Sequence, residues 1–242
     1  MYAAASTHAT LALMHGFTLT VGEQHVPLVW SGQRLLAFLA LANGPVSRRF
    51  IAGALWPDTT ALKASGNLRT ALWRVHRACE ELVYASAQQL ALCSTVAVDV
   101  RDAQAVARRL LDSTAQCDDI LCPATRMMLS ADILPDGYDD DWLLLEREQF
   151  HQLRLLALEA MSERLIAAHR YGEAVDSAMA AIRAEPLRES AHTLLIRAHL
   201  GAGNRWAAVR QYQQCRQVLR EEIGVDPSPE LRCLLPLELR AG

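Results

Sequence analysis

A spacing of 34 residues in the second half of the chain is the feature that most limits its fold. The spacing relates three pairs of residues, namely Ala174 and Ala208, Ala178 and Tyr212, and Ala181 and Cys215. Two segments beside these positions, AAHRYGEAV and GAGNRWAAV, align at the same shift. A fixed period of this length is typical of stacked helix–turn–helix units, which bury small residues where the paired helices meet.

The period predicts repeats of the tetratricopeptide type, and the alternative is a generic alanine-rich helical bundle. Pro186 lies where the unit after the first repeat would begin, whereas Arg220 takes the corresponding place in the second. Neither repeat has the usual early Trp and Gly. The matching segments favour repeats over the bundle. Helical patterns at residues 102–111 and 126–129 allow an earlier, irregular repeat.

A long helix is expected to precede the repeats, from Asp141 to about Ala168. Its apolar residues predict a buried stripe at Trp142, Leu145, Phe150, Leu153 and Leu156. Three aspartates, Asp139 to Asp141, stand at its start. We expect them to favour the positive end of the helix dipole rather than to bind a divalent ion, since consecutive residues cannot all face one cation. His192 and His199 allow a metal pair, but a lining of the repeat core or groove is favoured.

The first hundred residues begin and end with extended segments. The run from Leu11 to Val21 alternates with a period of about two residues. Gly22 then opens a turn before residues 25–28. Residues 82–93 predict a hairpin, and Val96 to Val100 a further extended stretch.

Three helices are expected between these extended segments. The first is expected to have Ser31 as its N-cap and to end before the Asn-Gly-Pro sequence at 43–45. Ser47 is expected to cap a short second helix that ends at Leu55. The third runs from about Ala61 to Glu81. A hairpin directly after the third helix is typical of a winged helix-turn-helix.

The third helix has an apolar face and a polar face. Residues at helical spacing that would face a core are Leu68, Ala71, Leu72, Val75 and Leu82. The opposite face carries Lys63, Asn67, Thr70, Arg74 and Arg77, with Arg69 and Trp73 on its flank. These residue types contact phosphates and base edges in DNA complexes, although a solvated face is the commoner outcome for a single polar stripe.

Residues 11–100 resemble the winged-helix domain of OmpR/PhoB-class response regulators, and more closely that of the Streptomyces antibiotic regulatory protein (SARP) group. The segments ALWPD and ASGNLRTALWRVHRA carry this resemblance. It implies that Arg69, Arg74 and Arg77 are the foremost DNA-contacting residues.

Residues 134–235 resemble the bacterial transcriptional activator domain of the same group. The matching segments are LPDGYDDDWLLLEREQFHQLRLLALEAM, AEPLRESAHTLLIRAHLGAGNRWAAVRQY and LREEIGVDPSPEL. The resemblance implies dimerisation or partner contact through the repeats, and recruitment of RNA polymerase holoenzyme to a promoter.

Composition adds limits to these hypotheses. Residues 1–100 carry seven Lys/Arg and five Asp/Glu, a net charge of +2, whereas residues 101–242 carry 17 and 22, a net charge of −5. A basic front half with an acidic back half suits a DNA-binding domain joined to a protein-binding one. Six scattered cysteines favour free thiols over a zinc site. Phosphate-binding and nucleophile-elbow motifs are missing, so we expect no enzyme activity, catalytic residues, cofactor or metal.

The sequence therefore predicts a mostly α protein: an N-terminal winged helix-turn-helix with small β elements, then a tetratricopeptide-like all-α repeat domain. Residues 1–10 are expected to form a disordered tail, residues 11–100 the DNA-binding domain and residues 101–242 the activator domain. We expect a cytoplasmic, sequence-specific activator that binds double-stranded DNA as a homodimer or side-by-side pair, with no membrane association. The alternative is an interaction adaptor with a degenerate winged helix.

Overall fold

A computed structural model describes residues 8–42, 44–135 and 137–235 of the chain. It divides into two compact units. The first contains the residues up to Asp102 together with Ala131–Phe150, and the second contains Ala103–Ser130 and the residues from His151 onward. The predicted tail, residues 1–10, lies outside the described residues up to position 7.

The first unit opens with a small sheet. Strand β1 (Ala9–Ala12) pairs antiparallel with β2 (Thr18–Val21), and β2 pairs with β3 (Gln24–His25). Because Ala9 pairs with Val21, the ordered strand includes the last two residues of the predicted tail. Gly22, at a φ of 63°, makes the turn that the sequence predicts. A later strand, β7 (Ala97–Val98), joins β1 in parallel.

Three helices follow the sheet in the predicted order, and they are α1 (Trp30–Leu41), α2 (Arg48–Leu55) and α3 (Ala61–Ala78). Ser47 caps α2 as expected, since its Oγ accepts a hydrogen bond from the Phe50 amide at 3.2 Å. The expected N-cap of α1, Ser31, is wrong. Val29 holds that place because its carbonyl accepts from the Gly32 and Gln33 amides, so Ser31 lies inside the first turn.

A hairpin completes the winged helix-turn-helix. A short 3-10 helix (Glu80–Leu82) leads into β5 (Val83–Ala85), which pairs antiparallel with β6 (Gln89–Leu92). Strand β4 (Val46–Ser47), directly before α2, pairs with the other edge of β6. The wing is therefore hydrogen-bonded to the start of α2.

Residues 131–150 also belong to the first unit, whereas the predicted division after residue 100 assigned them to the second domain. The Leu134 amide donates to the Leu13 carbonyl at 2.8 Å, and Met14 forms an isolated bridge with Ile133. Tyr138 donates to the Gln33 side chain at 2.9 Å. We call residues 131–150 the return segment. Such contacts join positions more than a hundred residues apart, so no local pattern indicates them.

Helices joined by loops make up the described part of the second unit. After α4 (Asp99–Leu111) come α5 (Pro123–Leu129), α6 (Asp141–Ala167), α7 (Tyr171–Ala184), α8 (Glu189–Gly201), α9 (Arg205–Ile223) and α10 (Pro229–Cys233). Helices α4 and α6 each begin in the first unit and continue into the second. Helix α8 packs against both α7 and α9.

The predicted 34-residue spacing coincides with the packing of these helices. All six residues of the three pairs are buried, and they are Ala174, Ala178, Ala181, Ala208, Tyr212 and Cys215. Small residues on α7 and α9 therefore lie where neighbouring helices approach. The mostly α fold, with a winged helix-turn-helix before tetratricopeptide-like helices, is confirmed.

The predicted buried stripe on α6 is correct only in part, since Trp142 and Leu153 are half-buried. Of its five members only Phe150 is buried, whereas Leu145 and Leu156 are exposed. The large apolar residues that α6 buries are Leu143, Phe150, Leu155, Leu158, Met161 and Leu165. The N-terminal part of α6 packs into the core of the first unit, and its C-terminal part packs into the core of the second unit. A single stripe for its whole length therefore selects the wrong positions.

Candidate nucleic-acid interface

Helix α3 separates its apolar and polar residues as its sequence predicts. Thr60 caps the helix, and its Oγ1 accepts from the Lys63 amide at 3.4 Å. The predicted core residues Leu68, Ala71, Leu72 and Val75, together with Leu82 beyond the helix, are all buried. The seven predicted DNA-contacting residues are all exposed, and they are Lys63, Asn67, Arg69, Thr70, Trp73, Arg74 and Arg77.

Several side chains on the exposed face of α3 have partners within the first unit. The Arg77 guanidinium lies over the Trp73 ring, 5.4 Å from its centroid. Arg74 Nη1 donates to Ser31 Oγ on α1 at 3.3 Å. Thr70 Oγ1 donates to the Gly66 carbonyl at 3.1 Å. The face is therefore partly organised by the protein itself, and it leaves the remaining donors of both arginines accessible to solvent.

The tip of the wing is fixed by local hydrogen bonds. Ser86 Oγ accepts from the Gln88 and Gln89 amides, and the Ser86 amide donates to the Gln89 carbonyl. This region, residues 86–89, is the part of the wing that we expect to approach DNA. Its exposed residues at the turn are polar or small.

Arg48 joins the wing tip to α2, and sequence reasoning missed it. Its Nε donates to the Ser86 carbonyl at 2.9 Å, and its backbone amide donates to the Gln88 carbonyl at 2.9 Å. Arg49 and Phe50, the next two residues, are exposed. The signal in the sequence was a pair of arginines directly after the N-cap Ser47. Positive residues are not needed at a helix N-terminus, where the dipole already disfavours them.

The aspartates at the start of α6 do not act together. Asp140 forms a two-bond ion pair with Arg34 of α1, and one of the two bonds joins Arg34 Nε to Asp140 Oδ2 at 3.0 Å. Asp139 is exposed, and Asp141 is the first residue of the helix. The aspartates do lie at the start of α6, as expected. Asp140, however, mainly binds a neighbouring helix.

His192 lies in the core of the second unit and His199 is half-buried. His192 Nε2 is 2.9 Å from the Pro186 carbonyl oxygen, and its Nδ1 is 2.7 Å from Gln211 Nε2. Burial lowers the pKa of both imidazoles. Because both ring nitrogens of His192 have protein partners, the structure favours the core role over the metal pair. Among the described residues, no three His, Cys, Asp or Glu side chains group as ligands for a metal ion.

The six cysteines are free thiols. Burial raises the pKa of Cys215 to about 12, which keeps it protonated and unreactive. Hydrogen bonding with Thr125 lowers the pKa of Cys122. In the described part of the chain, no helix combines the length and apolar character that a membrane-spanning segment needs.

The family model for the bacterial transcriptional activator domain matches residues 98–235. This match covers more than half of the chain. The chain belongs to this family. The resemblance to SARP-type regulators is thereby confirmed, and the family is one of transcription regulators.

Two curated relatives agree with this assignment. The regulatory protein AfsR of Streptomyces griseus is 34% identical over 108 residues, which are 45% of this chain and 11% of that protein. AfsR of Streptomyces coelicolor is 29% identical over 219 residues, 86% of this chain and 22% of that protein. The chain therefore spans only about a tenth to a fifth of the length of these relatives.

A solved structure supports the fold. Mycobacterium tuberculosis EmbR, in complex with a low-affinity phosphopeptide, superposes with a TM-score of 0.74 at 20% sequence identity. The alignment covers 96% of this chain and 67% of EmbR. At this identity the likeness concerns the fold alone.

Proposed function

We propose that this chain is a sequence-specific transcriptional regulator that binds double-stranded DNA through α3 and the wing. One observation carries the proposal: all seven predicted contact residues are exposed on a helix that directly precedes a hairpin tied to α2. In winged helix-turn-helix proteins a helix in this position enters the major groove. Such a protein acts in the cytoplasm, where bacterial DNA lies, and needs neither catalysis nor a cofactor.

We propose further that the helical repeats pair two subunits on DNA and contact RNA polymerase holoenzyme, which makes the protein an activator. Two subunits side by side would bind half-sites about 34–36 Å apart, one turn of B-DNA. The family to which residues 98–235 belong supports the activator role.

Fluorescence anisotropy tests DNA binding with the intact chain. Genomic fragments are first selected by binding, and affinity is then compared with that for scrambled DNA. We expect the variant Arg74→Ala/Arg77→Ala to lose affinity without a change in melting temperature. Arg197→Ala/Arg205→Ala removes two exposed charges of the second unit and serves as the matched control. Equal loss in both double variants, or no preference for selected DNA, would contradict the proposal.

An interaction adaptor with a degenerate winged helix is the second candidate. A groove of about 440 Å³ between α6 and α8 in the second unit favours it, with Leu111 and Leu156 exposed at 40% and 45% along its rim. The adaptor reading would hold if the chain bound no selected DNA and if Arg74→Ala/Arg77→Ala left its capture of a protein partner unchanged.

A further inference from the structure

We infer that the exposed face of α3 is divided along its length. Its middle turns, at Asn67 and Thr70, recognise base edges. Its last turns, at Arg74 and Arg77, hold the sugar–phosphate backbone, and Trp73 is a positioning residue for Arg77. This inference rests on the proposed DNA binding, and it identifies which residues give sequence preference and which give affinity alone.

The length of α3 is consistent with such a division. At about 1.5 Å of rise per residue, the exposed face from Lys63 to Arg77 extends for about 21 Å. The major groove of B-DNA is about 12 Å wide. A recognition helix inserts its N-terminal residues among the base edges. If α3 enters the groove by its N-terminal end, the C-terminal end of a face this long extends past the base edges towards the phosphates.

The Trp73–Arg77 contact prepares Arg77 for a phosphate. The guanidinium carbon lies over the indole ring, 5.4 Å from its centroid, within the distance of a cation–π contact. The N–H donors lie in the plane of the guanidinium and stay accessible at its edge, which is the arrangement that binds phosphate oxygens in bidentate fashion. Trp73 itself is 58% exposed, so the pair stands on the surface rather than in the core.

Arg74 is held at the same end of the helix by a second element. Its hydrogen bond to Ser31 Oγ fixes the guanidinium between α3 and the first turn of α1. One of its five N–H donors is used in this contact, and the others are left for an anion. With this hydrogen bond in place the guanidinium lies towards α1 rather than along the axis of α3, where it can contact a backbone that passes across both helices.

The middle turns of α3 offer different chemistry. Thr70 donates its hydroxyl proton to the Gly66 carbonyl, so its oxygen faces the solvent as an acceptor. Such an acceptor matches the amino groups of adenine and cytosine in the major groove. Asn67 is exposed one turn earlier and carries the donor and acceptor that pair with adenine. Neither side chain carries a charge, so neither adds to the salt-dependent attraction for phosphate.

The salt dependence of binding separates the two groups. Affinities of the intact protein for selected and scrambled DNA are measured by anisotropy at several salt concentrations, for Asn67→Ala, Thr70→Val, Arg74→Ala and Arg77→Ala. We expect each arginine variant to lose affinity equally for both DNAs, with a slope of log affinity against log salt smaller by about 0.9. We expect Asn67→Ala and Thr70→Val to keep the slope and to lose about 5- to 150-fold in preference for selected DNA.

Trp73 variants test the positioning role. Trp73→Phe keeps an aromatic face and is expected to retain most of the affinity. Trp73→Ala is expected to approach the loss and the slope of Arg77→Ala. The double variant Trp73→Ala/Arg77→Ala should bind no more weakly than Arg77→Ala alone. Additive losses in the double variant would mean that Trp73 contacts DNA directly, and would overturn its positioning role.

Two outcomes would overturn the division itself: a reduced salt slope in Asn67→Ala, or an altered sequence preference in Arg77→Ala. Because all these side chains are exposed, we expect every variant to keep the melting temperature of the wild type. Thermal melting checks this and so tests whether unfolding causes a loss of affinity. Failure of the wild-type chain to prefer any selected DNA would instead refute the proposed function, so the two failures are distinguishable.

Discussion

The side chain of His192 gives the second unit a pH-dependent core contact. Its Nε2 lies 2.9 Å from a backbone carbonyl oxygen and therefore donates, so the Nδ1 that meets Gln211 Nε2 is the unprotonated acceptor. Burial lowers the pKa of the imidazole, and the hydrogen bond to the Pro186 carbonyl and the nearby Glu189 only partly oppose this. The native core thus holds the neutral form.

We expect the free energy of unfolding to fall as the pH drops below about 6.5. The unfolded chain then binds a proton that buried His192 resists, so stability is full above the unfolded pKa and is lost below it. Urea unfolding at pH 8, 6.5 and 5.5 measures this change. His192→Asn should flatten it, although the variant will be less stable overall. His199→Asn, which removes the other imidazole with a lowered pKa, should leave most of it. An unchanged slope in His192→Asn would contradict the prediction.

Gly66 occupies the interior of α3, where glycine is unfavourable. A Cβ at this position would meet Arg69 Nη2 at 3.8 Å, an ordinary contact, so alanine fits. We expect Gly66→Ala to stabilise the protein by about 0.5–1 kcal/mol and to weaken DNA binding, because the added methyl group lies beside the face that we propose enters the groove. Calorimetry and anisotropy measure the two effects.

Gly53→Ala is the matched control, since Gly53 is an exposed residue of α2 with no atom within 4 Å of an added Cβ. It should give a similar gain in melting temperature and leave DNA affinity unchanged. A lower melting temperature in Gly66→Ala would show that the backbone at this position is strained.

At the scale of secondary-structure elements, the return segment stabilises the winged helix-turn-helix. Trp142 contacts Phe38 of α1, with ring centroids 5.0 Å apart, and Tyr138 contacts Trp30 at 4.3 Å. The side chains of the Arg34–Asp140 ion pair are only 15% and 11% exposed. The helix-turn-helix thus completes its core with residues from a later part of the chain.

We expect Asp140→Asn to lower the free energy of unfolding of the first unit by about 3 kcal/mol, because it leaves the nearly buried Arg34 charge without its carboxylate. Chemical denaturation measures the loss. Asp139→Asn removes the same charge one position earlier from an exposed residue and should change stability by less than about 0.5 kcal/mol. Equal effects of the two variants would mean that the ion pair does not contribute.

The sequence predicts elements whose causes are local. The cap at Ser47 and the two faces of α3 follow from residues within a few turns of one another, and the 34-residue spacing is a regular pattern that the sequence itself displays. The contacts of Asp140, Tyr138 and Arg48 depend on distant partners, so the sequence could not reveal them. In the candidate site, exposure of α3 was predictable, whereas the contacts of Arg74 with Ser31 and of Arg48 with the wing were not.

The whole chain passes between its two units more than once. Residues up to Asp102 and Ala131–Phe150 form one unit, and Ala103–Ser130 belongs to the other. A cut near residue 100, where the composition changes, therefore leaves the winged helix-turn-helix without its return segment. The two predicted functional domains meet near residue 100, but the two structural units do not separate at that point.

Fragment complementation tests this dependence. We expect a fragment of residues 1–102 to melt at a lower temperature than the same unit in the intact chain, because the surfaces of Phe38 and Arg34 lose their partners. A peptide of residues 131–150 added in excess should raise that melting temperature with its concentration, as a ligand of the native state does. The same peptide with Asp140→Ala and Trp142→Ala should have little effect, since it lacks the ion pair and the ring contact with α1. The fragment could instead melt at the same temperature as the intact unit and show no change with either peptide. The return segment would then add no stability, and the predicted boundary at residue 100 would suffice for folding.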